Sequence, residues 1–544
     1  MRGDRNMCAA FAPEKKSEIL YETCSRQLKF PMGFEACIPE DDMVRFFVRE
    51  FDNLDYTNLY AAYNSSHNHT GPGRPAADPR LLFQVCAFAY AKDIYSSRKI
   101  EEACLKRIDF MWLLDGRPAP DHTTIANFRS GPCKEAIEDL FYQYVRYLDM
   151  IGATDHKVGI FDGTKIESFA NRYTFVWRGA VEKNLAKLPE KVKAVFDRLG
   201  IQRNVTKDNL RSVKNNTRYK MATQGIEPVH GKGRRKSQLQ RDYEELDALL
   251  EKWLKYEEQL RIMGPDRNSY SKTDPDATFL RMKDDHMGNG QLKPGYNVQI
   301  CVNSEFVTGI GVYADRNDVN TLESFMNTLI DKHEQQYESA SADAGYESLA
   351  NYRFLDSVGI DSYIKPSNYE QMKTKQFKKQ IGRRENMTYD EVGDYYICAN
   401  QQHLVFVREH TFTPNKGVEQ TNRVYRCENC QGCTHRKECC KSKDVNKPKE
   451  IEVNLEFIAY REKSLANIIS EYGIQLRTNR SIQVEGVFGV IKEDHHFRRF
   501  LCKGKEKVMS ELYLLGIGHN LSKHYRKIMD GRLGNHLFRI KTVA

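Results

Sequence analysis

Five short strand-like runs, at residues 158–161, 296–302, 306–313, 339–342 and 361–364, constrain this chain most. Each is too short for a buried helix and is bounded by turn residues, so each reads as a strand. Lys293-Pro294-Gly295 precedes the second run and Asn303-Ser304-Glu305 follows it, which is hairpin chemistry for an antiparallel pair. Helical patterns at about 320–333 and 348–358 separate the later runs. The first run leads into Asp162-Gly163-Thr164-Lys165 and the fourth into Asp343-Ala344-Gly345-Tyr346. An acid therefore stands at the C-terminal end of two strands.

Two stretches interrupt this series. Residues 181–265 are helical and charged, with Leu239, Tyr243, Leu246, Leu250, Trp253 and Leu260 at heptad-like spacing and Glu257 breaking the stripe. A helical hairpin with one packed face accounts for them. The basic run Lys232-Gly233-Arg234-Arg235-Lys236 between its helices reads as a solvated turn that could also touch phosphates. Residues 366–450 are basic and loop-rich and hold five clustered cysteines. Beyond them, 465–492 and 507–527 read as long helices. Without the two inserts the order is β-β-β-α-β-α-β-α, an α/β fold with a mixed sheet and flanking helices in RNase H-like order.

The 544 residues suit two to four domains. The pattern divides them into an irregular segment 1–40 and a helical head 41–150. An α/β core follows over 151–365 and 451–530, with the helical insert at about 181–265 inside it. The Cys-rich insert covers 366–450 and a basic tail 531–544. In the head, 41–66 reads as helical and 65–79 as a loop. Asp78-Pro79, Ser97 and Asp121 each look like helix starts. Short capped helices suit a helix-turn-helix-like DNA reader and a plain helical bundle equally.

Lys and Arg number 83 against 74 Asp and Glu, a modest excess that permits a nucleic-acid partner without requiring one. No signal peptide and no run of 18 apolar residues is present, so a soluble cytosolic protein is expected. The 14 cysteines then read as thiols or metal ligands rather than as a disulfide framework.

Carboxylates in this order carry the chemistry. Glu485 precedes Lys492 by seven residues, on one face of a helix whose apolar stripe is Val484, Phe488 and Ile491. Acids at two strand ends and one on a packed helix can converge at a sheet edge. There they suit Mg²⁺ (or Mn²⁺), which prefers carboxylate oxygens. Two such ions about 3.5–4 Å apart activate a water or 3′-hydroxyl and stabilise the leaving oxygen. Lys492, Arg498, Arg499, Lys503, Lys505 and Lys507 cluster just beyond Glu485 with Phe497 and Phe500 between them. His519, Lys523, His524, Arg526 and Lys527 follow. Such a surface suits phosphates.

The chain resembles the bacterial insertion-sequence transposases of the DDE class with an InsH-like amino-terminal domain, from about residue 40 onward. The resemblance rests in the head on Leu59-Tyr60-Ala61-Ala62-Tyr63, Gly73-Arg74-Pro75, Asp78-Pro79-Arg80, Ser96-Ser97-Arg98-Lys99-Ile100-Glu101 and Pro120-Asp121-His122-Thr123-Thr124-Ile125. In the core it rests on Asp162-Gly163-Thr164-Lys165, Thr273-Asp274-Pro275-Asp276-Ala277, Gly295-Tyr296-Asn297-Val298-Gln299, Asn317-Asp318-Val319-Asn320, Ala342-Asp343-Ala344-Gly345-Tyr346 and the Glu485 to Lys492 block. It implies that Asp162, Asp343 and Glu485 form a metal-binding catalytic triad and that Lys492 contacts DNA phosphate. The signature's Tyr and Arg positions fall on Thr478 and Ser481, a departure that leaves Arg480 and Arg477 as nearby substitutes. The resemblance further implies terminal inverted repeats as DNA partner, strand cleavage and transfer as reaction, and a homodimer in the synaptic complex. A DNA-binding regulator with a dead nuclease core and a structure-specific nuclease are the alternatives.

Cys427, Cys430, Cys433 and Cys439 read C-x2-C-x2-C-x5-C, with Cys440 adjacent. Thiolates at such spacing can hold a structural Zn²⁺. A metal-free insert stays open, as do Cys440 or His435 as ligands. The run does not match the common iron–sulfur spacing. Cys86 and Cys301 lie in apolar runs and read as core.

Overall fold

The computed structural model describes residues 37–66, 77–230, 235–282, 290–414, 417–442, 444, 446–494 and 496–539. Most of the irregular segment 1–40 lies outside the described residues. So do most of the loop 65–79, Lys232 to Arg234, His495 and the end of the tail.

The head holds α1 (Met43–Phe51), α2 (Thr57–Ser66), α3 (Pro79–Ala91), α4 (Ser97–Lys106), α5 (Ile108–Leu114), α6 (His122–Ser130) and α7 (Pro132–Met150). The expected helix at 41–66 is thus two helices. The caps follow local chemistry. Asp78 accepts from the Arg80 amide at 3.0 Å and Asp121 from the Thr124 amide at 2.7 Å. Ser97 does not cap α4; Ser96 holds that position and makes no side-chain cap bond.

The strand β1 (Val158–Glu167) follows, then β2 (Phe175–Trp177) and the helices α8 (Arg178–Ala186), α9 (Leu188–Arg198), α10 (Lys207–Thr223) and α11 (Gln238–Met263). The latter pack around their own apolar cluster, in which Leu246 and Leu250 of the predicted stripe are buried against Val192, Phe196 and Val213. Next come β3 (Ser269–Ser271), β4 (Thr278–Arg281), β5 (Leu292–Asn303), β6 (Phe306–Tyr313), α12 (Leu322–His333), β7 (Ser339–Ala342), α13 (Leu349–Ser357) and β8 (Asp361–Ile364). The main sheet runs β4-β5-β1-β7-β8, with β6 also paired to β5. β1 and β6 are antiparallel to β5, whereas β7 and β8 join β1 in parallel. The β-β-β-α-β-α-β order read from the sequence recurs as β1, β5, β6, α12, β7, α13 and β8, whereas β4 at the sheet edge and the small pair β2–β3 fall outside that reading.

Residues 366–450 differ from the loop-rich expectation. After the short helices α14 (Tyr369–Met372) and α15 (Lys375–Lys378) come β9 (Thr388–Asp390), β10 (Tyr395–Ile397), β11 (His403–Phe412) and β12 (Gln420–Cys427). The four-residue α16 (Arg436–Cys439) and β13 (Glu450–Val453) complete the region. The five strands form one antiparallel sheet. Its strands carry Arg, Glu, His and Thr on an exposed face, which masks the apolar alternation that marks a half-buried strand.

The chain then forms α17 (Leu455–Ile469) and α18 (Glu471–Arg480). A π-helical turn at Ser481–Glu485, α19 (Gly486–Gly489) and a second π turn at Val490–Asp494 follow. The expected single helix over 465–492 is therefore broken at Ser470 and irregular beyond Arg480. Gly473 explains the break. A side chain there would meet the backbone of Asn467 and Ile468, so only glycine allows the two helices to abut.

The last helix, α20 (Lys505–Met529), lies between α3 and α7 of the head and β6 of the sheet. One continuous apolar core joins all three layers. Gly518 sets the closest approach: a Cβ there would lie 2.8 Å from the Ala91 amide and the Tyr90 carbonyl carbon of α3. Gly518→Ala is expected to cost about 1–3 kcal/mol by overpacking, read as a fall in the urea midpoint of the full chain. An unchanged midpoint would show that α3 and α20 are not held this tightly.

Burial also decides the basic residues of α20. His519 and His524 are 3% and 1% exposed and Lys527 is fully buried. Lys527 Nζ donates to the Ser304 carbonyl at 2.8 Å and Lys523 pairs with Glu305 at 3.0 Å. They secure the β5–β6 turn, whose Ser304 and Glu305 both adopt positive φ, +56° and +71°. Lys523, Lys527 and His519 brace a hairpin and His524 bonds Tyr144 of the head, so of the run whose charge suggested a DNA surface Arg526 alone is exposed.

The loop before β4 anchors the start of α20. Asp274 is fully buried and accepts from Tyr296 at 2.8 Å, Ser168 at 2.5 Å and the Gly504 amide at 3.1 Å. Asp276 accepts from the Lys505 amide at 2.9 Å. Two acids at a helix N-terminus satisfy its unpaired amides and oppose its dipole.

Candidate active site

Asp162 lies inside β1 and not at its end, because antiparallel pairing with β5 continues from Ile160 to Glu167. The parallel pairing with β7 is shorter. It matches Val158 with Ser339 and Ile160 with Ser341, and β7 stops at Ala342. The register leads Asp162, within β1, and Asp343, one residue beyond the end of β7, toward the same end of the sheet. Asp343 caps the short turn after β7 and accepts from the Gly345 amide at 2.8 Å. Asp162 accepts from the Gly163 amide at 2.9 Å, and Arg480 approaches its other oxygen at 3.7 Å.

A third acid, Asp318, belongs to this cluster. It accepts from Asn297 and Gln299 of β5, each at 2.8 Å, and Gln299 in turn accepts from Tyr346. Burial, then Asp318, Asp162 and Asp343 in turn, push the Tyr346 phenol well above its usual range. Gly163 makes room for this packing: a Cβ there would lie 2.6 Å from Asp318 Oδ1. The sequence reading used Asn317-Asp318-Val319-Asn320 as a motif but gave Asp318 no role. The available signal was Asn297 and Gln299, two polar residues alternating within a strand that must be buried.

Glu485 ends the first π turn and is exposed, while its neighbours Val484 and Val487 are buried. That turn packs on β1 and β5, and Gln483 accepts from the Glu305 amide at 3.0 Å. Isolated π turns of this kind occur often at functional sites. Among the described residues no hydrogen bond or ion pair joins Glu485 to Asp162 or Asp343. Nor are any three His, Cys, Asp or Glu side chains already grouped to hold a metal ion. The donor chemistry still fits: Asp162 and Asp343 offer hard carboxylate oxygens, the ligands Mg²⁺ selects.

A separate open cleft of about 290 Å³ is lined by Lys165, Arg172, Lys293, Lys492, Arg498 and Arg499 around the buried Glu167. Arg172 binds Glu167 through two hydrogen bonds of 2.8 and 3.0 Å, and Lys293 and Arg499 stand at 3.6 and 3.8 Å. One acid thus holds several cations close together. Arg499 is further fixed by the Ser168 and Ala170 carbonyls and lies over the Phe169 ring. Arg498 pairs with Glu493. Arg477 faces elsewhere, bonding the Ile468 carbonyl at 3.0 Å and lying over Tyr369. Cys427, Cys430, Cys433 and Cys439 gather with Cys440 beyond β12, and Cys398 joins them from the end of β10.

Residues 33–131 match the family described as Transposase domain (DUF772), and residues 397–525 match Transposase DDE domain. A DDE domain defines the class as a DNA-processing enzyme. A transposase head and a DDE domain in this order support a DDE-class insertion-sequence transposase. The first match spans α1 to α6. The second covers Glu485, Lys492 and the five clustered cysteines, but stops short of Asp162 and Asp343. No curated relative and no solved structure matches. No helix among the described residues is long and apolar enough to cross a membrane.

Proposed function

We propose that the chain binds the terminal inverted repeats of an insertion sequence and catalyses metal-dependent DNA strand cleavage and strand transfer, with Asp162, Asp343 and Glu485 as its triad. The observation that supports this is the parallel register of β1 and β7, Ile160 beside Ser341, which leads Asp162 and Asp343 toward one end of the sheet. An RNase H-like reading of the core is supported by the sheet order β6-β5-β1-β7-β8, three antiparallel strands and then two parallel ones. Divalent ions held there supply an activated oxygen nucleophile and stabilise the leaving oxygen.

The chain's own residues bind and orient the DNA. Lys165 of β1 opens into the basic cleft, where a DNA strand meets several cations at once. Lys492, Arg498 and Arg499 hold its phosphates there. Arg480, close to Asp162, offsets carboxylate charge and is placed to reach the scissile phosphate. The helical head reads the repeat, and two copies of the chain pair the two ends.

Purified protein with Mg²⁺ and DNA carrying the element's own ends tests the reading. Cleavage at those ends, followed by joining of the 3′-hydroxyl ends to target DNA, is expected. Cleavage without joining indicates a nuclease, and binding without cleavage a regulator; either overturns the proposal. Lys492→Ala with Arg498→Ala should weaken binding to all sequences alike. The pair should also reduce the slope of log K against log salt by about 2, since each phosphate contact contributes about 0.9. A change in preference between repeat sequences would place these residues on bases instead.

A further inference from the structure

The segment from residue 428 to 449 cannot fold by burying apolar surface. It contains one aliphatic residue, Val445, and only the four-residue α16 as regular structure. The five-stranded sheet beneath it has a small core of its own: Tyr396, Cys398, Leu404, Tyr425, Cys427, Ile451 and Val453. A unit this poor in apolar contacts ordinarily needs a metal or a disulfide to hold it.

The cysteines are free thiols, and six of them line one small cavity: Cys398, Cys427, Cys430, Cys433, Cys439 and Cys440. Its volume of about 20 Å³ accommodates one small ion and not two. Backbone amides are aimed at two of the sulfurs. Gln402 donates to Cys398 Sγ at 3.4 Å and Lys449 donates to Cys430 Sγ at 3.3 Å. A neutral thiol is a weak acceptor. Amide donors on sulfur suit a thiolate, and such outer partners orient metal ligands. Cys398 also stands close enough to Cys427 and Cys439 to act on both electrostatically. Lys449 and Arg436 line the same cavity and offset thiolate charge.

We infer that Cys398, Cys427, Cys430 and Cys439 form a tetrathiolate site for one Zn²⁺ that ties the loop after β12 to the β10–β11 turn. Cys398 comes from outside the C-x2-C-x2-C-x5-C run and takes the place that spacing assigns to Cys433. Cys398 and Cys427 flank strand ends of the small sheet, which makes them the fixed half of the site. Cys430 and Cys439 close on them, the ion drawing the four sulfurs to coordination distance. Binding releases the thiol protons and forms four Zn–S bonds, with no change of oxidation state.

The full chain, expressed with zinc and measured by elemental analysis, should hold one zinc per chain. Cys398→Ser should lose it as Cys427→Ser does, while Cys433→Ser keeps it. Zinc retained by Cys398→Ser and lost by Cys433→Ser overturns the assignment, as does a wild-type chain without zinc. Should Cys398→Ser not fold, alkylation of the wild-type chain decides: Zn²⁺ should shield Cys398 from iodoacetamide, read by mass spectrometry. Equal labelling with and without Zn²⁺ refutes the site. These readouts are independent of DNA cleavage, so failure of the transposase reading leaves them intact.

Discussion

Asp343→Asn is expected to lower strand cleavage by at least about 10³-fold while leaving binding to the element ends within a few-fold. Bound metal supplies several kcal/mol of transition-state stabilisation, and each 1.36 kcal/mol is tenfold in rate. Asparagine keeps the shape and the oxygen that accepts from the Gly345 amide, so the turn after β7 should persist and only the charge is lost. Asp162→Asn and Glu485→Gln should behave alike. Glu485 is the more informative of the two, since it is exposed on a π turn and no recorded contact ties it to the aspartates. Full cleavage by any one purified variant removes that acid from the triad.

Asp274→Ala is expected to cost about 3–5 kcal/mol of stability. It strips the partner from the Tyr296 and Ser168 hydroxyls and from the Gly504 amide at once, and each buried donor left unsatisfied costs about 1–3 kcal/mol. The loosened start of α20 loses its anchor on the β3–β4 loop. Asp274→Asn retains an acceptor oxygen and should lose less. Thermal or urea melts of the full chain resolve the two variants. Equal melts for wild type and Asp274→Ala would show that this motif is not what holds α20.

The comparison of these two aspartates shows how far local pattern carries. Asp343 was legible because its strand of small residues, Ser339-Ala340-Ser341-Ala342, stops just before it, which leaves the acid beyond the ladder. Asp162 was legible for only half of that reason. The apolar run before it is real, but Gly163, Thr164 and Lys165 continue the strand, because β5 lies alongside with Asn297 and Gln299 supplying polar neighbours. Asp274 resembled the other acids of the conspicuous motifs, and nothing in its neighbours distinguished a buried anchor from a catalytic group. The strands of residues 388–453 were missed because only one face of that sheet is covered and its outward positions are charged. On α20, Lys523 and Lys527 looked like a phosphate surface, since charge in a sequence carries no sign of which side of a helix is packed.

The sequence by itself determined the order of β1, β5, β6, α12, β7, α13 and β8, the caps at Asp78 and Asp121, the hairpin between β5 and β6, and the chemistry available at each acid and cysteine. These follow from dihedral preferences, periodicity and neighbours within a turn or two, which act over a few residues. Only the tertiary structure decided which distant groups meet. It led Asp162 and Asp343 toward one end of the sheet, drew Asp318 in beside Gly163, set Arg480 against Asp162 and carried Cys398 to cysteines about thirty residues away in the chain. Those meetings depend on strand register and on the closing of long loops. Both are settled by burial of the shared core, which no local stretch of the chain encodes alone.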